Sequence, residues 1–546
     1  MLLGKLSAIW SYGVGKLQVY KELQKNLEYL DKRLGISVSF DVLVREIKVG
    51  GKDAALVFLD GLVKDKETQT LMAHLLSVER GGLQPNIVKK LMEEQLPFFD
   101  VSVLDDLEEA INSILSGPLA LLVDGMDSVI ILDVRQYPTR GIEEPDLERV
   151  TRGARDGFVE TGLLNVNLIR RRLRDPGLRF EAIAIGRRSK TDVFLGYIDD
   201  IADPGLVAEV RKRLENVEAS ALPMGTKNLE EYITGMKFNP FPVVRFTERP
   251  DVVVAHLLEG NIIIITDTTP ATMILPATAW HFTQHAEDYF NNPVVGTYIR
   301  WLRFAAMTMA FLLTPVWLVL AQNRSMLPPS LQFVGPRGTA AIPLFVQFLF
   351  LEAAVDITRL AFIHTPNALS TSLGLVAAIL LGDFAVKVGL FIPETILYQA
   401  ITAIAYFSIP NYEFGMAARL FRLLTLVLTG LFNFWGLAVG ITITFLVMVF
   451  TKSFGVPYLW PLIPLHGPSL LRLLFRYPIP SIASRPPFTD PVDSDVRQAK
   501  GQGGRGSDEQ TDKAALHAAL GVRQRSRRRS KFTEKRRPGQ KRTGED

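Results

Sequence analysis

Apolar and polar residues alternate near the start of the chain in the pattern of a half-buried β-strand. The stretch SVSFDVLVREIKV (37–49) alternates, Gly50-Gly51 supplies a turn, and the apolar run AALVFLDG (54–61) follows. The segment LALLVDGMDSVIILDV (119–134) predicts a second hairpin, and helical periodicity lies between the two. The pattern predicts a soluble subdomain that combines strands and helices.

A second set of such elements follows in the sequence. Residues 144–173 have the pattern of a helix, and Asp203 is a good N-cap for another predicted helix over 204–217. Four strand-like segments accompany them: FEAIAIG (180–186), DVFLGYI (192–198), NIIIITD (261–267) and ATMILP (271–276). The soluble part is therefore predicted to have an α/β or α+β fold in two subdomains.

Beyond residue 303 the chain becomes strongly apolar, as expected of helices that cross a membrane. A helix needs about 20 apolar residues to cross the hydrocarbon core. The runs of suitable length are 304–321, 343–363, 373–392 and 423–450. A fifth run, 395–409, is short and lies between two prolines, which favours a re-entrant or interfacial helix. An α-helical multi-span membrane domain with about four spans is predicted.

Basic residues flank the apolar region on both sides. Arg300 and Arg303 precede the first run, and Lys452, Arg472 and Arg476 follow the last. Because basic residues accumulate on the cytoplasmic side of membrane proteins, both termini are predicted to lie there. This orientation requires an even number of spans.

The two ends of the chain differ from the rest in composition. The first residues are amphipathic, and residues 497–546 carry 15 Lys and Arg against 6 Asp and Glu, within a chain of net charge +4. Such a tail is expected to be disordered, and it suits anionic membrane lipids, with no specific nucleic-acid partner expected. The predicted boundaries are an N-terminal segment 1–35, soluble subdomains 36–140 and 141–300, a membrane domain 301–480 and a disordered basic tail 481–546.

Signals of enzymatic or metal chemistry are scarce. The chain has no cysteine, which excludes disulfides, thiolate metal sites and cysteine nucleophiles. His281 and His285 stand four residues apart, but Phe282 occupies the position where a zinc helix of the HExxH type has glutamate. No phosphate-binding loop or nucleophile elbow is present in the sequence. We therefore expect no enzyme activity, no cofactor and no metal.

The most informative residues are charges within the apolar runs. Burying one near the centre of a bilayer costs about 2.5 to 3.5 kcal/mol, so they must face one another, another subunit or water. Helical spacing places Glu352, Asp356 and Arg359 on one stripe, and Asp383 and Lys387 are spaced for an ion pair. Two interpretations remain open: salt bridges between helices, or a polar path for ions.

Glu394 is a further candidate for an ion path. It follows Pro393 near a predicted helix mouth, and no basic residue is spaced to pair with it. A ring of such carboxylates would favour cations.

Arginines are concentrated between residues 149 and 188. They are either solvated and paired with nearby carboxylates, or they form a docking face for a partner subunit or an anionic ligand. The residues concerned are Arg152, Arg155, Arg170, Arg171, Arg172, Arg187 and Arg188.

Several long motifs resemble the A subunits of the spore germination receptors of endospore-forming bacteria, the GerA family. The resemblance covers roughly residues 36–480. Its motifs are EEPDLERVTRGARDGFVE (143–160), NLIRRRLRDPGLR (167–179), GRRSKTDVFLGYIDDIADPGLV (186–207), PFPVVRFTERPDVVVAHLLEGNIIIITD (240–267), NPVVGTYIRWLRF (292–304) and KSFGVPYLWPLIPL (452–465).

The resemblance implies a location and a function. It implies a multi-pass protein of the spore inner membrane with its soluble part facing the spore core. It also implies a ring-shaped homo-oligomer that conducts monovalent cations during germination. The segment QHAEDYFNNP (284–293) differs in sequence from the corresponding segment of nutrient receptors. The resemblance is therefore to members of the family that use a small membrane-protein partner and amplify the germination response. With this function in view, Glu352 and Glu394 are expected to face water, while Asp356 with Arg359 and Asp383 with Lys387 hold helices together. The alternatives are a secondary transporter, a non-conducting scaffold and a nutrient-sensing receptor subunit.

Overall fold

The computed structural model describes residues 17–79, 87–92, 100–137, 148–235, 238–323, 328–338, 341–364 and 385–496. Asp383, most of the predicted span 373–392 and the charged tail from residue 497 onward lie outside these ranges.

The first subdomain is an antiparallel sheet with helices on both faces. The sheet has the strand order β1-β2-β4-β5-β3. Helices α1 and α4 cover one face, and α2 covers the other. The elements are α1 (Leu23–Leu34), β1 (Val42–Val49), β2 (Lys52–Leu59), α2 (Asp65–Ser77), α3 (Ile87–Lys90), β3 (Val101–Leu104), α4 (Leu107–Leu115), β4 (Leu119–Val123) and β5 (Val129–Leu132).

The second subdomain is another five-stranded antiparallel sheet, in the order β6-β7-β9-β10-β8. Asp203 caps its helix α6 as predicted, accepting hydrogen bonds from two backbone N–H groups. The elements are α5 (Gly162–Arg172), β6 (Leu178–Ile185), β7 (Thr191–Ile198), α6 (Pro204–Glu215), α7 (Thr226–Thr234), β8 (Arg245–Thr247), α8 (Pro250–Leu258), β9 (Ile262–Thr266) and β10 (Thr272–Leu275).

The two subdomains repeat one architecture. In each, the first two strands form a hairpin and the third strand lies at the far edge beyond the fifth. A helix precedes each sheet, and an asparagine in it clamps the backbone six residues earlier. Asn26 bonds both the N–H and the C=O of Tyr20, and Asn165 does the same to Val159.

A second pair of equivalent contacts confirms the repeat. Asp124 follows β4 and accepts a hydrogen bond from the first N–H of α1, at Leu23. Asp267 follows β9 and accepts one from the first N–H of α5, at Gly162. Each carboxylate thereby satisfies an N–H that helix geometry leaves without a partner. The soluble part is thus two copies of one sheet-and-helix unit.

The helical region follows the second sheet. Its helices are α9 (Glu287–Phe290), α10 (Pro293–Gln322), α11 (Leu344–His364), α12 (Ala385–Lys387), α13 (Pro393–Phe407), α14 (Tyr412–Phe450) and α15 (Gly467–Leu474). Two short strands, β11 (Lys452–Ser453) and β12 (Val456–Pro457), and 3₁₀ turns at Ala279–Phe282, Pro329–Val334, Ile479–Ser481 and Pro487–Thr489 complete the described elements.

Two of the described helices, α10 and α14, are long and apolar enough to cross a membrane. Helix α11 has 21 residues, and it carries the charges Glu352, Asp356 and Arg359. Helix α13 has 15 residues and corresponds to the predicted short helix 395–409, with both ends two residues earlier. The expected four spans are therefore not established by length and apolar composition among the described residues.

Helix α14 folds back on itself. Asn433 has φ 54° and ψ −131°, and the arms 412–432 and 434–450 pack side by side. A Cβ on Gly440 would lie 2.8 Å from the Cα of Thr425, although a straight helix would separate these residues by about 22 Å. The side-chain amides of Asn433 and Asn323 bond each other and thereby hold this turn against the end of α10.

Both ends of the helical region lie beside the second subdomain. At its start, Glu287 of α9 accepts a hydrogen bond from the backbone N–H of Thr151 in the second subdomain at 2.9 Å. Beyond α14, Thr451 accepts a hydrogen bond from Asn239, and Ser453 donates one to the carbonyl of Val243. The chain therefore leaves and re-enters the helical region on one side.

Three sequence expectations need correction. Of the helix predicted over 144–173, only Gly162–Arg172 is helical among the described residues. The boundary at residue 35 does not separate α1 from the first sheet, because Leu30 and Leu34 are buried in that core. The tail does not become irregular at residue 481, since Thr489 donates to the carbonyl of Glu259 on the second subdomain.

We predict that Gly440→Ala destabilises the hairpin of α14. Alanine favours a helix over glycine by about 1 kcal/mol. Forcing a Cβ to within 2.8 Å of the Thr425 backbone costs about 1 to 3 kcal/mol, so the clash prevails. Thermal unfolding of the detergent-solubilised chain should show a lower Tm. The matched control is Gly467→Ala, where nothing lies within 4 Å, and an equal Tm in both variants would refute the close packing.

Candidate functional site

A buried group of charges joins α11 to α14. Glu352 of α11 accepts hydrogen bonds through Oε2 from Arg422 at 2.8 Å and from Arg419 at 3.2 Å. The three side chains are between 1% and 3% exposed. Two guanidinium groups thus hold one carboxylate within an apolar helical region. Their positive charge compensates the negative charge of the buried Glu352.

The remaining contacts of these arginines extend the group. Arg419 also binds Asp356 at 2.7 Å, one helical turn from Glu352. Arg422 donates to the carbonyl of Ala310 in α10 at 2.6 Å, so the group ties three helices together. Two carboxylates and two guanidinium groups balance in charge.

Sequence reasoning missed Arg419 and Arg422. Both fall between the predicted apolar runs 395–409 and 423–450, whereas they lie in the first arm of α14. Their spacing of three residues within the apolar run MAARLFRLLT (416–425) puts both on one helix face, and this was the available signal.

Arg359 does not form the expected pair with Asp356. Its guanidinium donates to the hydroxyl of Tyr406 at 2.7 Å and lies 4.3 Å from the centre of the Tyr412 ring. Asp356 binds Arg419 instead, because the arm of α14 brings that cation within reach. Arg359 is thus held by hydrogen bonding and cation–π attraction.

The expectation that Glu352 faces water is wrong for the single chain, since its side chain is 1% exposed. Asp356 is the more accessible carboxylate of the group, at 37%. Glu394 is half-buried and accepts a hydrogen bond from the backbone N–H of Arg337 at 3.2 Å. Lys387 is exposed, and its expected partner Asp383 lies outside the described residues.

One arginine of the docking face predicted over 152–188, Arg170, does not lie on the surface. Arg170 is 1% exposed and binds Asp41 of the first subdomain through two hydrogen bonds of 2.7 and 3.1 Å. It joins the two subdomains and is unavailable to a partner. Arg172 pairs with Asp156, and Arg171 lies over the ring of Tyr137. The exposed members are Arg152, Arg155, Arg171, Arg172, Arg187 and Arg188.

One cluster has the composition of a metal site. His256, Glu259 and His281 place ligand atoms within 4.8 Å of one another. However, Arg245 donates to Nε2 of His256 at 3.3 Å, and the backbone N–H of Thr278 donates to Nδ1 of His281 at 2.9 Å. These contacts occupy a lone pair on each ring and add a cation beside it, so the cluster does not suit a metal ion.

His285, the other member of the predicted histidine pair, is not in that cluster. Burial lowers the pKa of His281 well below its ordinary value, and the nearby His256 and Arg245 lower it further. His281 is therefore neutral at physiological pH.

Comparison with known proteins identifies the family. The model of the Bacillus/Clostridium GerA spore germination protein family matches residues 28–488. The chain belongs to the GerA family. The match spans both soluble subdomains and the helices that carry Glu352, Arg419 and Arg422.

Individual GerA relatives resemble the chain over most of their length. Stage V sporulation protein AF of Bacillus subtilis (strain 168) is 42% identical over 476 residues, which cover 87% of this chain and 97% of that protein. This confirms the resemblance suggested by the sequence. Spore germination protein KA of the same strain is 31% identical over 486 residues, which cover 88% of this chain and 89% of that protein.

One solved structure is similar to part of this GerA protein. It is the N-terminal domain of the A subunit of the Bacillus megaterium spore germinant receptor GerK3, which is 30% identical. The match covers 48% of this chain and 98% of that one, with a TM-score of 0.39.

We predict that Glu352→Gln destabilises the fold, because it leaves Arg419 and Arg422 with a neutral partner in an apolar interior. Breaking a buried ion pair in this way costs about 3 to 5 kcal/mol. The measurement is thermal unfolding of the detergent-solubilised chain, with half-buried Glu394→Gln as the matched control. The double variant Glu352→Gln/Arg422→Gln should recover part of the loss. Additive effects of the two single variants would contradict the pairing.

Proposed function

We propose that this GerA-family chain is the membrane subunit of a spore germination complex that forms an oligomeric channel. The channel releases monovalent cations from the spore core and amplifies germination. Membership of a spore germination family supports the process, and the arrangement of charges in the helical region supports conduction.

The observation that carries the proposal is the position of Asp356. Its carboxylate is 37% exposed at the edge of an apolar helix face, beside Ile357 at 66% and Leu360 at 57%. A partly exposed carboxylate on such a face is costly against lipid. The face is therefore better suited to a neighbouring subunit and a water-filled path, with Asp356 as its carboxylate. Glu394, in the first turn of α13, is proposed as a second carboxylate of the path.

This arrangement fits a ring of identical subunits. Repetition around an axis would gather the Glu394 carboxylates, and the Asp356 carboxylates that Arg419 partly neutralises, into rings that favour cations. The buried pairing of Glu352 with Arg419 and Arg422 keeps the helices of each subunit together. A small membrane protein is proposed as a further partner. We propose that this chain itself lies in the spore inner membrane, with both of its termini on the core side.

We predict that Asp356→Asn reduces cation selectivity without dispersing the oligomer. The measurement is ionic current across a planar bilayer containing the purified protein, alone and with its co-expressed membrane partner. Neutralising Asp356 should shift the reversal potential in a KCl gradient towards zero, and Glu394→Gln should act in the same direction. The matched control is Glu215→Gln, an exposed carboxylate of the second subdomain that should change nothing.

Two outcomes would count against the proposal. Wild-type reversal potentials in both variants would remove these carboxylates from the path. No current from an oligomer shown to be intact, with the partner present, would favour a non-conducting scaffold.

A further inference from the structure

A cavity of about 480 Å³ lies where the second subdomain meets the helical region. Its walls come from α8, from the segment 278–290, from the first turns of α10 and from the segment 460–496. The proposed conduction does not involve it. Its lining combines large apolar side chains with a concentration of arginines.

Three of these arginines carry charge that the described protein does not balance. Arg472 and Arg476 form no ion pair among the described residues; they donate to the carbonyls of Ser484 and Tyr289. Arg300 is 2% exposed and lies 3.6 Å from Asp288, a carboxylate that Arg303 already binds through both oxygens. Buried positive charge without a counter-charge is unfavourable.

Some donors of these arginines have no acceptor in the part of the chain that the structure describes. They are Nε and Nη2 of Arg300 and Nε of Arg476, and all three are buried. An unsatisfied buried donor costs about 1 to 3 kcal/mol, and more when it is charged. An acceptor bound in the cavity would relieve this cost.

The other polar groups of the lining add donors more than acceptors. Nδ1 of His281 accepts from a backbone N–H, so the ring's proton is on Nε2. Of the two lining carboxylates, Asp251 is bound by Arg249 through both oxygens, and Glu259 lies 3.5 Å from Nδ1 of His256. Arg485, also in the lining, binds Asp493. The balance therefore favours an anion over a cation.

The rest of the cavity wall is apolar and aromatic. Trp280, Trp460 and Phe488 line it together with Leu258, and the Trp460 and Phe488 rings are 5.0 Å apart. We propose that this cavity binds an amphipathic anion, a phosphate or carboxylate group attached to an apolar body. The anionic group would meet Arg300, Arg472 and Arg476, and the body would pack against the rings.

Two sources have this chemistry: an anionic membrane lipid and a small soluble molecule. The first arm of the test uses nanodiscs with phosphatidylglycerol and phosphatidylcholine, and native mass spectrometry counts the lipids retained by the full chain. The second arm titrates the full chain in uncharged detergent with 1-naphthyl phosphate by calorimetry, with 1-naphthol as the neutral probe.

The variants separate charge from shape. Arg472→Gln should weaken binding by about tenfold, the effect of one charge-assisted contact. Ala255→Trp fills the cavity from an exposed position of α8 without removing a hydrogen bond, and it should abolish binding. The matched control is Arg213→Gln, an arginine that also donates to a backbone carbonyl but lies outside this cavity.

Each result decides the proposal or its source. A soluble ligand is indicated if 1-naphthyl phosphate binds and if this binding is weakened by Arg472→Gln, abolished by Ala255→Trp and unchanged by Arg213→Gln. A lipid is indicated if phosphatidylglycerol is retained selectively and the three variants change its retention in the same way. The proposal is overturned if neither probe binds, if naphthol binds equally well, or if Ala255→Trp binds like the wild type. Because the readout is binding, a failure of ion conduction leaves this result unaffected.

Discussion

The arrangement of the helical region depends on the charge of Glu352. A carboxylate that is 1% exposed in apolar surroundings needs cations at hydrogen-bond distance, and only α14 provides them, through Arg419 and Arg422, among the described residues. These contacts fix how α11 lies against the first arm of α14. The second arm follows from the turn at Asn433, and its close approach requires glycine at 440. The ion group therefore determines how α10, α11 and the first arm of α14 lie against one another.

The soluble part follows the same rule with a single pair. Arg170 and Asp41 are buried between the two copies of the repeated unit, at 1% and 0% exposure. Apolar packing alone does not specify how two similar sheets lie against each other, whereas a bidentate pair allows few geometries. The pair acts together with the hydrogen bonds that Arg179 donates to the carbonyls of Arg33 and Leu34. These contacts hold the two subdomains as one platform, and both ends of the helical region lie beside it.

How far the sequence predicts this protein depends on the range of the interactions. The hairpins, the N-cap at Asp203 and the short helix after Pro393 are local, so spacing revealed them. Arg419, Arg422 and Arg170 find their partners 67, 70 and 129 residues away, and no local pattern carries that information. The repeat escaped detection because its copies share backbone contacts at Asn26 and Asn165 more than they share sequence.

The two arginine groups of this chain differ in a way that bears on function. In the helices, the charges of Arg419 and Arg422 are balanced by two carboxylates of the chain itself, Glu352 and Asp356. At the junction, Arg300, Arg472 and Arg476 have among the described residues only a share of Asp288. An anion that binds them only in the folded state stabilises the junction, and the gain rises with the logarithm of its concentration relative to its Kd. Arg300 donates to the carbonyls of Arg472 and Leu473, and Arg476 donates to that of Tyr289, so these residues attach segment 460–496 to α10 and α9. An anion bound in the cavity would therefore strengthen this attachment.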